Sequence, residues 1–210
     1  MKNVKKFFNI LSIKLTRVTE NDTIIIQKDK GGAVMRQSEV KKKAEEFCEQ
    51  NGIKSYPVEI VRICRENGLK VFEEYLDSDI SGLIVVDDKE WDKYGADKFI
   101  IVNLAESAVR RRFTIAHELA HYILHRNGNR LYAHRDMTND GTVKNSIEQE
   151  ANYFAANVLM PESLIRDKVD DLKSEVWGKL PNFVLIREIA DHFVVSESAA
   201  EVRLKQLEII

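Results

Sequence analysis

Residues 111 to 126 read RRFTIAHELAHYILHR, and both the fold and the chemistry of the chain turn on them. Phe113, Ile115, Ala116, Leu119, Ala120, Tyr122, Ile123 and Leu124 would cover most of the surface of a helix. The pattern therefore predicts a helix buried on nearly all sides, in the middle of a domain. His117, Glu118 and His121 contradict that setting, because buried ionisable groups are costly unless they are paired or bound to a metal.

Spacing resolves the conflict. His117 and His121 are one helical turn apart, about 6 Å along the axis at ~1.5 Å per residue, so both imidazoles share a face. From there two ring nitrogens can reach one cation at roughly 2.0 Å each. Glu118 is turned by about 100° from His117, which places it beside the site and outside the ligand set. This is the H-E-x-x-H pattern: the metal lowers the pKa of a water, the glutamate takes its proton, and the hydroxide attacks a polarised peptide carbonyl. A solvated face could carry the same three residues, but it would not be flanked by Ile115, Ala116, Leu119 and Ala120. His125 continues the row, yet at about 12 Å from His117 along the axis it is too far to share the ion and is expected to pack or hydrogen-bond nearby. A third ligand must come from another segment, since a catalytic zinc site usually has three protein ligands and one open position.

A helix from Ser146 to Pro161, SIEQEANYFAANVLMP, is the expected source, capped by Ser146 and stopped before Pro161. Glu148 and Asn152 share one face, which suits a carboxylate ligand with a polar neighbour behind it. Glu150 is the rival, but it is rotated by about 200° from Glu148, so one regular helix cannot offer both. Glu148 lies in line with Ala155 and Leu159, and Glu150 with Phe154; the smaller neighbours favour Glu148.

The totals set the frame. The 210 residues suffice for one core and an accessory piece. With Lys+Arg 32 against Asp+Glu 34 the chain has no global basic field to argue for nucleic acid. No apolar run of about 18 residues suggests a membrane span. The N-terminal MKNVKKFFNILSIKLTRV begins like a secretion signal, but Lys14 and Arg17 interrupt it and no small-residue cleavage site follows, so it reads as mature structure. Cys48 and Cys64 make no disulfide framework, and a reducing, cytoplasmic setting is expected.

Residues 1–36 read as an N-terminal extension. Alternation at Leu11, Ile13 and Leu15 and the β-branched run Thr23 to Ile26 predict a small hairpin, and Lys28 to Gly32 a hinge. A helix capped by Ser38 runs to Gln50 and stops at Gly52; a second starts at Pro57 and ends near Asn67-Gly68. Leu69 to Phe72, Gly82 to Val86 and Phe99 to Val102 predict three strands. If Gly82 to Val86 is an edge, it could pair with an extended peptide; Gly82 itself suits a turn or bulge. Trp91 and Tyr94 lie in an insertion that is either a lid or packing. Residues 129 to 146 read as a polar loop in which Tyr132, His134 or Arg135 could stabilise a tetrahedral intermediate. In the tail, residues 166–210, Ile186, Ile189, Ala190 and Phe193 form one helical face, and Ser196 caps a second helix bearing Ala199, Ala200, Val202, Leu204 and Leu207. The pair resembles a helix-turn-helix, but Arg203 and Lys205 are set beside Glu197 and Glu201, so packing or substrate docking is favoured over direct DNA binding.

Arg112-Phe113-Thr114-Ile115-Ala116-His117-Glu118-Leu119-Ala120-His121, taken with Glu148, Glu150-Ala151-Asn152, Phe154-Ala155-Ala156 and Leu159-Met160-Pro161, resembles the ImmA/IrrE family of metallo-endopeptidases across about residues 38 to 165. The resemblance implies an α+β, minimal zincin-like domain at 37–165. It implies that His117, His121 and Glu148 bind Zn2+, with Glu118 as general base. It also implies a protein substrate, a helix-turn-helix transcriptional repressor of a phage, mobile element or stress regulon. The alternative is a non-proteolytic metal-binding regulator that sequesters its partner or binds DNA through the C-terminal helices. Manganese could take the place of zinc, since availability partly decides occupancy.

Overall fold

All three β-rich runs become strands, and they lie between helices in an α+β arrangement. A computed structural model describes residues 34–86, 94–125, 131–135, 143–174 and 180–210, with backbone alone for 131–135 and 143–145. In chain order the elements are α1 (Gln37–Gln50), α2 (Ile60–Glu66), β1 (Lys70–Glu74), β2 (Ile80–Val86), β3 (Lys98–Asn103) and α3 (Ala108–Leu124). They continue as β4 (Leu131–Arg135), α4 (Val143–Leu159), α5 (Glu162–Ser174), α6 (Asn182–Phe193) and α7 (Glu197–Gln206). The expected hairpin and hinge in residues 1–36, and Trp91, lie outside the described residues.

The sheet runs in the order β1-β3-β2-β4. β1 and β3 are parallel, with Lys70 opposite Phe99, whereas β2 is antiparallel to both β3 and β4. Period-two alternation sorts the two central strands onto two faces. Ile84, Val86, Ile100 and Val102 join the main core, and Leu83, Val85, Phe99 and Ile101 a second cluster. Tyr94 covers that second cluster, its ring 4.6 Å from Phe99 and 4.8 Å from Phe72. The insertion tyrosine therefore packs.

Two expectations are corrected here. β2 is not an edge, because Leu131 to Arg135 pair along it, Leu83 opposite Ala133 and Ile84 opposite Tyr132. Main-chain pairing of a peptide with β2 is thereby excluded. The same pairing makes part of the supposed loop at 129–146 a strand. Its residues LYAHR carry little strand signal, and the ladder offered by β2 decides their conformation. Tyr132, His134 and Arg135 sit on the backbone of β4, and their side chains lie outside the described residues.

Gly82 lets α3 approach the sheet. A Cβ at this position would stand 2.5 Å from Thr114 Cγ2 and 2.9 Å from the Ile101 carbonyl oxygen, so the absence of a side chain is what seats the helix. The ladder to β4 also shifts register between Ile80 and Gly82, which matches the bulge expected there. Ser107, whose Oγ accepts from the Arg110 N–H at 3.2 Å, starts α3 upstream of the quoted stretch. Just before it, the buried Asn103 donates from Nδ2 to the Ile80 carbonyl at 2.9 Å and accepts the Ala105 N–H at 3.0 Å. That amide ties the strand end to the turn that launches α3.

The flanking helices differ from expectation mainly at their starts. α1 buries Val40, Ala44, Phe47 and Cys48 as its periodicity predicts and stops at Gly52, φ +61. Its first turn is closed by Arg36 N–H donating to Glu39 Oε2, with Ser38 already inside the helix. α2 begins at Ile60 and not at Pro57, because a turn from Val58 to Ile60 precedes it. α4 begins at Val143, so Ser146 is interior and caps nothing. Ser196 does cap α7, accepting from the Ala199 N–H. Leu185, Ile189, Phe193, Ala200, Leu204 and Leu207 share one continuous core with Val40, Ile100 and Leu119. Tyr56 stacks on Phe193 at 4.5 Å, closing α6 onto the loop ahead of α2.

Candidate metal centre

α3 packs against both the sheet and α4, and this sandwich points its histidine face at the first described turns of α4. His117 Nε2 lies 3.1 Å from His121 Nε2 and 3.3 Å from Glu148 Oε2, and His121 Nε2 lies 3.7 Å from the same oxygen. A tetrahedral ion with ligands at roughly 2.0–2.1 Å holds its donors about 3.3 Å apart. The three donors therefore already stand at the spacing of one tetrahedral face. Two imidazoles and one carboxylate are a donor set that suits zinc, and an ion held by these three would keep a fourth position open.

The site is graded in burial. His121 is 1% exposed, His117 12% and Glu148 28%, so the cluster opens toward solvent on the Glu148 side. Glu118 is fully buried next to His117, in the same turn of α3. The apolar surround that the sequence requires is present, with Ile115, Ala116, Leu119 and Ala120 all buried.

Further groups hold these side chains in place. His117 Nδ1 donates to Asn152 Oδ1 at 2.9 Å, which leaves its Nε2 lone pair facing the cluster. Glu148 and Asn152 thus act from one face of α4, as their spacing predicts. Glu150 points elsewhere: its Oε2 is 2.9 Å from His125 Nε2, and His125 Nδ1 is 3.2 Å from His121 Nδ1. The rival carboxylate is kept from the cluster by that partner. His125 hydrogen-bonds nearby, as its distance along the helix requires, but its pairing with Glu150 has no signature in the sequence, because both helices carry several other polar residues.

A cleft of about 560 Å³ is lined by Asn152, the hydrogen-bond partner of His117, and by Phe113, whose ring lies 6.4 Å from that of His117. Its other wall comes from the start of α7 and the residue before it, with Ser196, Ala199 and Val202. Val202 is largely exposed there. Arg203, from the same helix, is buried, with Nε donating to the Met160 carbonyl at 3.1 Å, so the basic residue weighed for DNA contact serves packing. Among the described residues no helix is long and apolar enough to cross a membrane.

The chain resembles known proteins in sequence and in fold. Residues 64–205 match the model of the peptidase M78 family, described as the IrrE N-terminal-like domain. The chain is 24% identical over 120 residues to the metallopeptidase ImmA of Bacillus subtilis (strain 168), an alignment covering 57% of this chain and 60% of that relative. It is also similar in fold to a transcriptional regulator of Mycobacterium tuberculosis, with a TM-score of 0.53 and 17% identity over 80% of this chain and 46% of the other. The chain thus spans three-fifths of the curated relative and about half of the structural one.

Proposed function

This chain belongs to the ImmA/IrrE family, the peptidase M78 type, and we propose that it is a zinc-dependent endopeptidase acting on a specific regulatory protein. The observation that carries the reading is the convergence of His117, His121 and Glu148 at donor spacings of 3.1 to 3.7 Å, with Glu118 in the adjoining position. In this reading His117, His121 and Glu148 hold the ion, and Glu118 is the general base.

A bound zinc ion supplies Lewis acidity to the scissile carbonyl. The chain's own residues do the rest. Glu118 takes a proton from the attacking water and returns it to the leaving amine, so one carboxylate serves as base and then acid. Its complete burial keeps that carboxyl fixed on the helix and away from bulk water, the condition under which a positioned charge acts most strongly. Asn152 and the helical spacing fix the imidazoles, so little reorganisation accompanies the reaction.

The substrate in this proposal is a helix-turn-helix repressor of a phage, mobile element or stress regulon, and the protein works in the cytoplasm. Support for a polypeptide substrate comes from the cleft on the far side of Asn152 from His117, whose apolar wall of Phe113, Ala199 and Val202 could accept side chains flanking a scissile bond. A catalytic unit at 37–165 and a helical tail at 166–210 that lends the cleft its far wall complete the proposed organisation.

The test is to incubate the protein and zinc with a candidate helix-turn-helix repressor, taken first from any encoded beside its gene. Fragments from the wild type, and none from Glu118→Gln with its zinc retained, are the expected result. An intact repressor that stays bound would point to the sequestering regulator. Cleavage by Glu118→Gln at the wild-type rate would refute the assigned base.

A further inference from the structure

We infer that the pocket between α2, β1 and the first turns of α3 is a second ligand site, built to take the phosphate group of a small phosphate monoester. The inference goes beyond the metal-centre reading and does not depend on it.

The pocket encloses about 390 Å³, and its charged lining is Glu59, Arg62, Arg65, Glu73, Arg111 and Arg112. Two of the four arginines are paired. Arg62 Nε meets Glu59 Oε2 at 3.0 Å, with Glu66 also on its Nη1, and Arg111 Nε meets Glu73 Oε1 at 3.1 Å. Arg65 and Arg112 have no ion-pair or hydrogen-bond partner for their side chains among the described residues. Arg65 is exposed, so water serves it. Arg112 is the anomaly: its Nε and Nη2 are buried, and no acceptor among the described residues meets either. Burial lowers the pKa of this guanidinium, and no neighbouring carboxylate offsets the desolvation. A buried cation held without a partner is costly, and a site whose anion comes from outside the chain accounts for it.

The geometry of the unused donors narrows the ligand. Nε and Nη2 share one edge of the guanidinium, the edge whose two parallel N–H bonds fit two oxygens of a single oxyanion. A rotation of the side chain turns that edge into the pocket, where Arg65 supplies a second cation. Two unpaired cations suit a phosphate monoester, which carries about −1.5 to −2 at pH 7, better than a singly charged carboxylate. A bare phosphate would leave much of the volume empty. Val61, 43% exposed, and Ile115 give the pocket an apolar wall for the body of the ligand.

This site is separate from the histidine cluster. Ala108, Arg111, Arg112 and Ile115 form one stripe of α3 at helical spacing, and His117 and His121 lie on the opposite side of the same helix. The cleft walled by α7 has none of these four residues in its lining.

Isothermal titration calorimetry of the full chain tests the inference, with phenyl phosphate and with inorganic phosphate as probes, each in the presence of zinc and again after its chelation. Phenyl phosphate is expected to bind at one saturable site, more tightly than inorganic phosphate, with or without zinc. Arg112→Met keeps the apolar stem and is expected to weaken that binding by about 10- to 100-fold. Arg65→Ala, at an exposed position that carries no risk to the fold, is expected to weaken it by about 5-fold. In phosphate-free buffer the thermal midpoint of Arg112→Met should be no lower than that of the wild type, because the variant removes a buried charge that lacks a partner. Phenyl phosphate should then raise the wild-type midpoint and leave that of Arg112→Met unchanged. Absence of saturable binding by the wild type, unaltered affinity in both variants, or binding that disappears when zinc is chelated overturns the inference. If Arg112→Met failed to fold, unaltered affinity in Arg65→Ala alone would overturn it.

Discussion

Asn152 Oδ1 stands 2.9 Å from His117 Nδ1, one helical turn beyond Glu148 on the same face of α4. One helix thus supplies a carboxylate to the cluster and also the group that orients a histidine of another helix. Asn152→Leu removes the acceptor and is expected to weaken zinc binding by about 10- to 100-fold, while Asn152→Asp, which keeps an oxygen at that place, binds within a few-fold of the wild type. Chelator competition measures both. Since Asn152 is exposed, the thermal midpoint of the metal-free protein should hardly move.

Gly82 sits where the histidine-bearing helix α3 meets the sheet. Gly82→Ala forces a methyl group to 2.5 Å from Thr114 Cγ2 and is expected to cost about 1–3 kcal/mol of stability, read from the urea midpoint. Thr114→Ser removes the obstructing methyl, so the double variant should recover part of that loss. Additive effects would show that the backbone contact with Ile101, and not the helix, limits the space.

These two positions show what the sequence makes legible. The spacing of His117 and His121 is itself a geometry, because helical rise converts residue number into distance. Helix phase likewise separates Glu148 from Glu150. Gly82 was readable as special, but whether a turn, a bulge or a helix needed it depended on which element packs there. β4 was hidden for a related reason: LYAHR has no pattern of its own and becomes a strand by pairing with β2. The His125 and Glu150 pair was hidden because residues from two helices meet only in three dimensions.

Arg203 shows the same limit with respect to charge. In the sequence it looks like a surface cation on the second tail helix, yet it is 1% exposed and bonded to the Met160 carbonyl. Burial lowers the pKa of its guanidinium, a desolvation partly offset by Tyr153 and Glu162. Arg203→Ala is expected to destabilise by about 3 kcal/mol, from the cavity and the orphaned carbonyl together. Arg203→Met, which refills most of the volume, should cost about 1 kcal/mol. Equal midpoints for Arg203→Ala and the wild type in urea would contradict the packing role.

Cys48 and Cys64 are buried free thiols, and burial pushes both pKa values up to about 12. At pH 8 the thiolate fraction is then on the order of 1 in 10,000, too small for ready alkylation. Neither cysteine should react with iodoacetamide in the folded protein, and both should react in urea. Labelling of the native state at the rate of free cysteine would show that α1 or α2 opens readily.

The most direct test of the metal centre is anomalous diffraction across the zinc absorption edge, from crystals grown with zinc. One peak is predicted within about 2.1 Å of His117 Nε2, His121 Nε2 and a Glu148 oxygen, with Glu150 still on His125. A peak bound by Glu150 in place of Glu148, or no peak between the two histidines at saturating zinc, would contradict the account.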